Sequence, residues 1–403
     1  MTSSYHLKDK DKCNKNACAS TCNVPKLRFK GYNDEWRKVK LKNICIDFIV
    51  PMRDKPKEFN GNIPWCRIED IEGNYFNGTK SNQYVSQETI DKMNLKIIPT
   101  GSVICSCSAS LGTYAINTCP IITNQTFIGL VCSEKVSNHF LLNLMNTQTR
   151  KLKIIAGGTT IPYISREKFE EYNIKIPSLP EQEKIASFLT LIDKKIEKQK
   201  KLVELLKKYK RGLLSAIFSQ KLRFKDNNGN DYPAWEEKYI QDVCSITTGK
   251  GNTQDKEDNG VYPFYVRSPI VEKSNKYIFD GEAVLTVGDG VGTGKVFHYV
   301  NGKFNFHQRV YKMSNFLGIN GRYFYYYFST HFYDRVKRMT AKTSVDSVRM
   351  DMIAKMPIFI PTNEEQDKII NLLTNEENIF LKNENLLLLL QEYKKGLLQQ
   401  MFI

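Results

Sequence analysis

His307, Gln308 and Arg309 stand in a row within NFHQRVYKM (305–313), at the entry to a strand-like run. Imidazole, amide and guanidinium groups in that order suit hydrogen bonding to nucleic-acid base edges. Arg pairs two donors with guanine O6 and N7, and Gln or Asn pairs a donor and an acceptor with adenine. A second segment, ITNQTF (122–127), offers Asn124 and Gln125 after a comparable Gly turn, and Gln125 matches Gln308 at an offset of 183. Lys250 in TTGKGNTQDK (247–256) and Lys295 in GDGVGTGKV (288–296) add ammonium groups suited to backbone phosphates. The plainer reading is of turns whose Asn and Gln satisfy local backbone and whose lysines are solvated. The sequence leaves both open.

Catalytic chemistry has no comparable footing. GDGVGTGKV fails as a phosphate loop, because Asp289 stands where G-x4-G-K-[ST] needs Gly and Val296 where it needs Ser or Thr. It reads instead as a tight Gly turn between strands. No G-x-G-x-x-G opens a helix, no [ND]-P-P-[YF] segment of an adenine methyltransferase is present, and the five histidines have no metal-ligand spacing. Cys13, Cys18 and Cys22 form a C-x4-C-x3-C cluster in a Lys/Asn-rich leader; His6 could complete a metal site, but a flexible leader over 1–23 is the simpler expectation. Cys105 and Cys107 alternate along an apolar run and should be core, as should the aromatic stripe Tyr323–Phe328.

The elements that must position these groups come as a duplication. Residues 157–218 lie over 341–402 at a constant offset of 184: Ile174 meets Ile358, Pro177 meets Pro361, Gln182 meets Gln366, and YKRGLLSAIF (209–218) meets YKKGLLQQMF (393–402). KLRFK at 26–30 returns at 221–225, each copy followed by a Trp and a Cys nine apart, Trp36/Cys45 and Trp235/Cys244. Each half is therefore a variable globular part followed by a helical part. The globular parts alternate short apolar runs with Gly and Asn, the pattern of strands and turns, and are predicted α+β and strand-rich.

Both helical parts carry a heptad seam. Ile185, Leu189, Ile192, Ile196, Gln199, Val203, Leu206, Lys210, Leu213 and Ile217 recur in steps of four and three, and Ile369 to Met401 repeats the pattern with Asn383 where the first has Gln199. Neither helix can bury its stripe alone. Residues 181–212 hold ten basic and five acidic side chains, whereas 364–395 hold four and seven. Opposite net charge favours an intramolecular pair over a homodimeric coiled coil, and the pair should be antiparallel because each helix leaves its own globular part.

Overall composition is ordinary for a globular chain, except that 59 Lys and Arg against 43 Asp and Glu leave a formal net charge of +16. That excess favours a polyanionic partner, nucleic acid before an anionic membrane. The longest aliphatic run, Leu386–Leu390, is five residues against the roughly 18 of a membrane span. The polar N-terminus has no secretory h-region, so the chain is expected in the cytoplasm.

Two strand-rich variable parts alternating with two similar helices that read PSLPEQEKI (177–185)…YKRGLL (209–214) and PTNEEQDKI (361–369)…YKKGLL (393–398) form a specific pattern. With KLRFK…W before each variable part, it resembles the specificity subunit of type I restriction–modification enzymes, from about residue 24 onward. The resemblance implies target-recognition domains at 24–176 and 221–360, spacer helices at 177–220 and 361–403, and double-stranded DNA as ligand. It implies no catalysis, cofactor or metal on this chain. Two methyltransferase subunits would carry S-adenosylmethionine, and two restriction subunits, ATP-dependent motor–nucleases, would carry ATP and Mg. A coiled-coil scaffold and a stand-alone fused restriction–modification enzyme are the alternatives.

Overall fold

A computed structural model of the chain describes residues 23–108, 110–157, 162–290, 292–340 and 347–403. The cysteine cluster of the leader, with His6, lies outside the described residues. Four long helices stand out among those described: α1 (Asn138–Ile155), α2 (Leu179–Phe218), α3 (Gly321–Thr340) and α4 (Asn363–Met401). The chain divides into two compact units, Met1–Lys200 with Leu386–Ile403 and Lys201–Asn385. Each long heptad helix therefore gives one part of its length to each unit.

In the first unit, β1 (Cys45–Ile49), β2 (Val103–Ser106), β3 (Tyr114–Asn117) and β4 (Phe127–Cys132) lie in the sheet order β1-β4-β2-β3, antiparallel throughout. A short hairpin, Ile71–Glu72 with Tyr75–Phe76, extends the β3 edge. Val103, Cys105, Ile128 and Leu130 on one sheet face are buried with Phe140, Leu141, Leu144 and Met145 of α1. Cys105 and Cys107 are core, as their alternation predicts.

The second unit repeats the frame. β5 (Ser245–Thr248), β6 (Tyr262–Tyr265), β7 (Phe279–Val287), β8 (Phe297–Phe306) and β9 (Val310–Ser314) run in the order β5-β9-β7-β8-β6, with Val271–Ser274 at the edge. The aromatic stripe is core: Tyr323, Phe324, Tyr327, Phe328 and Phe332 of α3 pack against the Val284/Met313 face of the sheet.

The paired seams are antiparallel within each unit. In the first, Ile185 and Leu189 share a core with Leu397 and Met401, and Asp193 binds Lys394 at 2.5 Å. In the second, Leu213 and Ile217 share a core with Ile369 and Leu373, and Lys210 binds Glu377 at 2.7 Å. Every seam position is buried or half-buried, most completely where the helices also meet the globular parts.

The repeated motifs prove to be one lock built twice. Arg28 of the first KLRFK donates Nε and Nη2 to Glu181 of PSLPEQEKI, both at 2.7 Å, and Nη2 also donates to the Asp34 carbonyl. Arg223 of the second KLRFK does the same to Glu365, at 3.1 and 2.7 Å, and to the Pro233 carbonyl. Both carboxylates are buried. The neighbouring glutamines tie in the next helix: Gln182 Oε1 accepts the Ser137 N–H that precedes α1, and Gln366 Oε1 accepts the Asn320 N–H that precedes α3. The Leu27 N–H donates to the Gln400 carbonyl in the first unit, as Leu222 N–H does to Ala216 in the second.

A buried carboxylate tolerates desolvation only with paired charge and near-complete hydrogen bonding. Arg223→Ala leaves the Glu365 charge with Trp235 Nε1 as its remaining side-chain donor at 3.0 Å. That substitution should cost roughly 3–5 kcal/mol. Denaturant unfolding followed by tryptophan fluorescence measures it, and a cost under about 1 kcal/mol would show that the lock does not hold the unit.

Candidate nucleic-acid interface

The two segments that carry the candidate contact residues fold into the same turn. In the second unit, Gly288 N–H donates to the Arg309 carbonyl and Val348 N–H to the Gly288 carbonyl. In the first, Cys107 N–H donates to Thr126 and Ile164 N–H to Cys107. The turn itself closes by Val310 N–H to His307 and by Phe127 N–H to Asn124. Backbone bonding thus superposes Asn124 on His307, Gln125 on Gln308 and Thr126 on Arg309, the register in which Gln125 matches Gln308.

Position decides what each side chain can do. His307 is buried, and its Nδ1 accepts the Arg309 N–H at 3.0 Å. Half-buried Asn124 uses Oδ1 in the same way toward Thr126 N–H at 3.3 Å. These side-chain acceptors fasten the turn. For them the structure favours the backbone-satisfying role. Gln125 and Gln308 point outward and are exposed, as is Arg309.

Lys250 reaches the same surface for a steric reason. A Cβ at Gly249 would lie 2.1 Å from the Phe306 carbonyl oxygen, and one at Gly251 would lie 2.9 Å from the Phe264 ring. Only glycines let this strand pass so close, and Lys250 between them is exposed. Gln308 N–H donates to the Gly251 carbonyl, and Gln308 Nε2 to Asn252 Oδ1 at 2.9 Å. Lys250, Asn252 and Gln308 therefore form one edge. Lys295 belongs to the tight Gly turn after β7, where Gly290 and Gly294 have φ of 83° and 66°. Its exposed ammonium lies 5.1 Å from the ring centroid of Tyr333 on α3.

Two further residues join the second unit's edge without any warning in the sequence pattern. Arg267, just after β6, and Asp289, just after β7, lie 3.5 Å apart, and Asp289 is also 3.5 Å from Arg309 Nε. Three separate loops bring them together, so no spacing rule could have found them. The matching place in the first unit is uncharged: Ser108 bridges Tyr163 as Asp289 bridges Ser347. The turns are alike in backbone and in the outward Gln, and unlike in the side chains on either side of it.

His307 sits at the electrostatic centre of this edge. Burial holds its imidazole below the usual His range; Arg267 and Arg309 act in the same direction, with Asp289 and Asp255 opposing. Burial also lowers His298 and His331 in the same unit. Among the described residues, no group of three or more His, Cys, Asp or Glu is placed to hold a metal. No helix among the described residues is long and apolar enough to cross a membrane.

Residues 33–207 and 233–390 match the family described as type I restriction modification DNA specificity domain. The type I restriction enzyme MjaIX specificity subunit of Methanocaldococcus jannaschii is 29% identical over 225 residues, 52% of each chain. The chain thus spans about half the length of that relative. The EcoprrI specificity subunit of Escherichia coli is 23% identical over 339 residues, 79% of this chain and 81% of that one. In fold, the chain is similar to the crystal structure of a type I restriction–modification S subunit from M. genitalium. The TM-score is 0.65 at 16% identity, over 94% of this chain and 99% of the other.

Unfolded His titrates near ~6.5. With folded values lowered, the stability these three groups contribute is complete above that pH and is lost as pH falls through the folded values. The melting temperature should therefore fall on acidification from pH 7.5 to 5. His307→Asn, which installs the acceptor found at Asn124, should fall less steeply. A parent melting temperature that rises or stays flat over this range would contradict the assignment.

Proposed function

The chain belongs to the type I restriction–modification DNA specificity family, and from that premise we propose that it is the DNA-reading subunit of such a complex, recognising a site in two parts. The carrying observation is the paired turn, the same backbone frame presenting Gln125 and Thr126 in one unit and Gln308 and Arg309 in the other. One frame with two sets of edges suits two half-sites of different sequence. The subunit itself is a recognition component without catalysis.

The long helices carry the second half of the proposal. Leu191, Leu388, Leu389 and Tyr393 are exposed on the helix segments of the first unit. Leu202, Leu205, Tyr209, Ile379 and Leu381 are exposed on those of the second. Exposed apolar side chains at this density favour protein docking. The helices act as spacer and as docking surface for two methyltransferase subunits, with S-adenosylmethionine and adenine methylation on their side. Two ATP-dependent motor–nuclease subunits, with their Mg, complete the assembly.

Exchanging residues 26–156 for those of a relative, in the complex assembled with its methyltransferase subunits, should change one half of the methylated sequence and leave the other intact. A change in both halves together would refute the two-reader arrangement. Lys295→Ala should weaken binding to all duplexes alike and flatten the logarithmic salt dependence by about one unit. Loss confined to one base position would instead make Lys295 a base reader.

A further inference from the structure

We propose that Arg267, Asp289 and Arg309 form a single base-reading device in the second unit, with Asp289 the positioning residue that determines specificity for a guanine in that half-site. The inference rests on the DNA-reading function proposed above and names how one edge performs it.

Three loops converge to build the device, and the backbone fixes where each starts. The Gly288 N–H to Arg309 carbonyl bond, 2.8 Å, holds the loop after β7 against the turn before β9. A Cβ on Gly292 would lie 3.0 Å from the Arg267 carbonyl oxygen, so the same loop also packs against the backbone after β6. The Asp289 bridge to Ser347 and the Val348 N–H to Gly288 carbonyl bond brace it from behind. The carboxylate is thus placed by main chain, and the two guanidiniums are placed by the carboxylate.

Geometry leaves those guanidiniums available. Each lies 3.5 Å from Asp289, against the ~2.7–2.9 Å of a full charge-assisted hydrogen bond. The Arg309 side chain is 64% exposed and that of Arg267 49%. Asp289 Oδ1 is buried without a hydrogen-bond partner. The carboxylate therefore steers two cations without consuming their donor edges, and one negative charge lets two positive ones share a small surface. Exposed pairs of this kind contribute little to stability. Their effect lies in aim. A steered guanidinium presents two parallel donors, the complement of guanine O6 and N7 in the major groove. Arg309, beside outward-facing Gln308, is the one placed to make that contact. Arg267 sits on the other side of the carboxylate and shares the steering.

The test uses the complex assembled with its methyltransferase subunits and its own recognition duplex, competed against duplexes substituted one base pair at a time. Arg309→Ala should lose roughly 5- to 150-fold of discrimination at a single guanine. Asp289→Asn, which keeps size and removes charge, should reduce discrimination at that same base pair and leave affinity for unrelated duplex unchanged or higher. Arg267→Gln, at an exposed position where folding is not at stake, should reduce discrimination there as well. If Asp289→Asn and Arg267→Gln discriminate like the parent, or weaken binding to every duplex equally, the device is refuted while DNA reading by the chain stands. If the parent complex itself shows no preference among the duplexes, the proposed function fails and the device with it.

Discussion

A carboxylate buried among apolar side chains is costly unless its charge is met, and Glu181 and Glu365 meet theirs in the same way. Each receives two guanidinium donors from an arginine 142 or 153 residues away in sequence. One contact therefore fixes three things at once: the start of a long helix, the segment that leads into a variable domain, and, through the adjacent glutamine, the helix that backs the domain's sheet. A slip of register would break several of these bonds together. That is why the short motifs KLRFK and EQ repeat while the residues between them diverge. The lock is indifferent to what the domain carries, provided the sheet and its backing helix arrive at the same place.

The proposed reading edge follows the opposite logic. Main-chain bonds set the turn, and an acceptor two residues before its end, Asn124 in one unit and His307 in the other, pins it. The positions around it are then free to differ: both turns keep a Gln, Gln125 and Gln308, while Ser108 and Thr126 stand against Asp289 and Arg309. A rigid frame with exchangeable edges is what readers of different base sequences require, because each edge must be held within a fraction of an ångström of its partner.

How far the sequence disclosed this depended on how local each signal was. The heptad seams were legible position by position, because a period of three and four survives in a linear string, and the internal offset of 184 gave the duplication. The strand-rich class and the core stripe of α3 were legible for the same reason. Direction was not: Asn124 and His307 have the chemistry of base readers, and only the structure shows that each spends an acceptor on the backbone N–H of Thr126 or Arg309. Arg267 and Asp289 were invisible, because their meeting depends on three loops whose closure no residue type announces. The hairpin at 71–76, whose place at the sheet edge is taken in the other unit by Tyr262–Tyr265 with Val271–Ser274, was likewise hidden by its shortness.

The central claim is that one chain holds two separate readers on a common frame. The most direct measurement is the map of methylated adenines in the genome of a cell making this subunit with its methyltransferase partners. Two short specified blocks separated by a gap of fixed length and unspecified sequence are the expected result. Methylation at one continuous specified sequence, or at blocks whose separation varies from site to site, would contradict it.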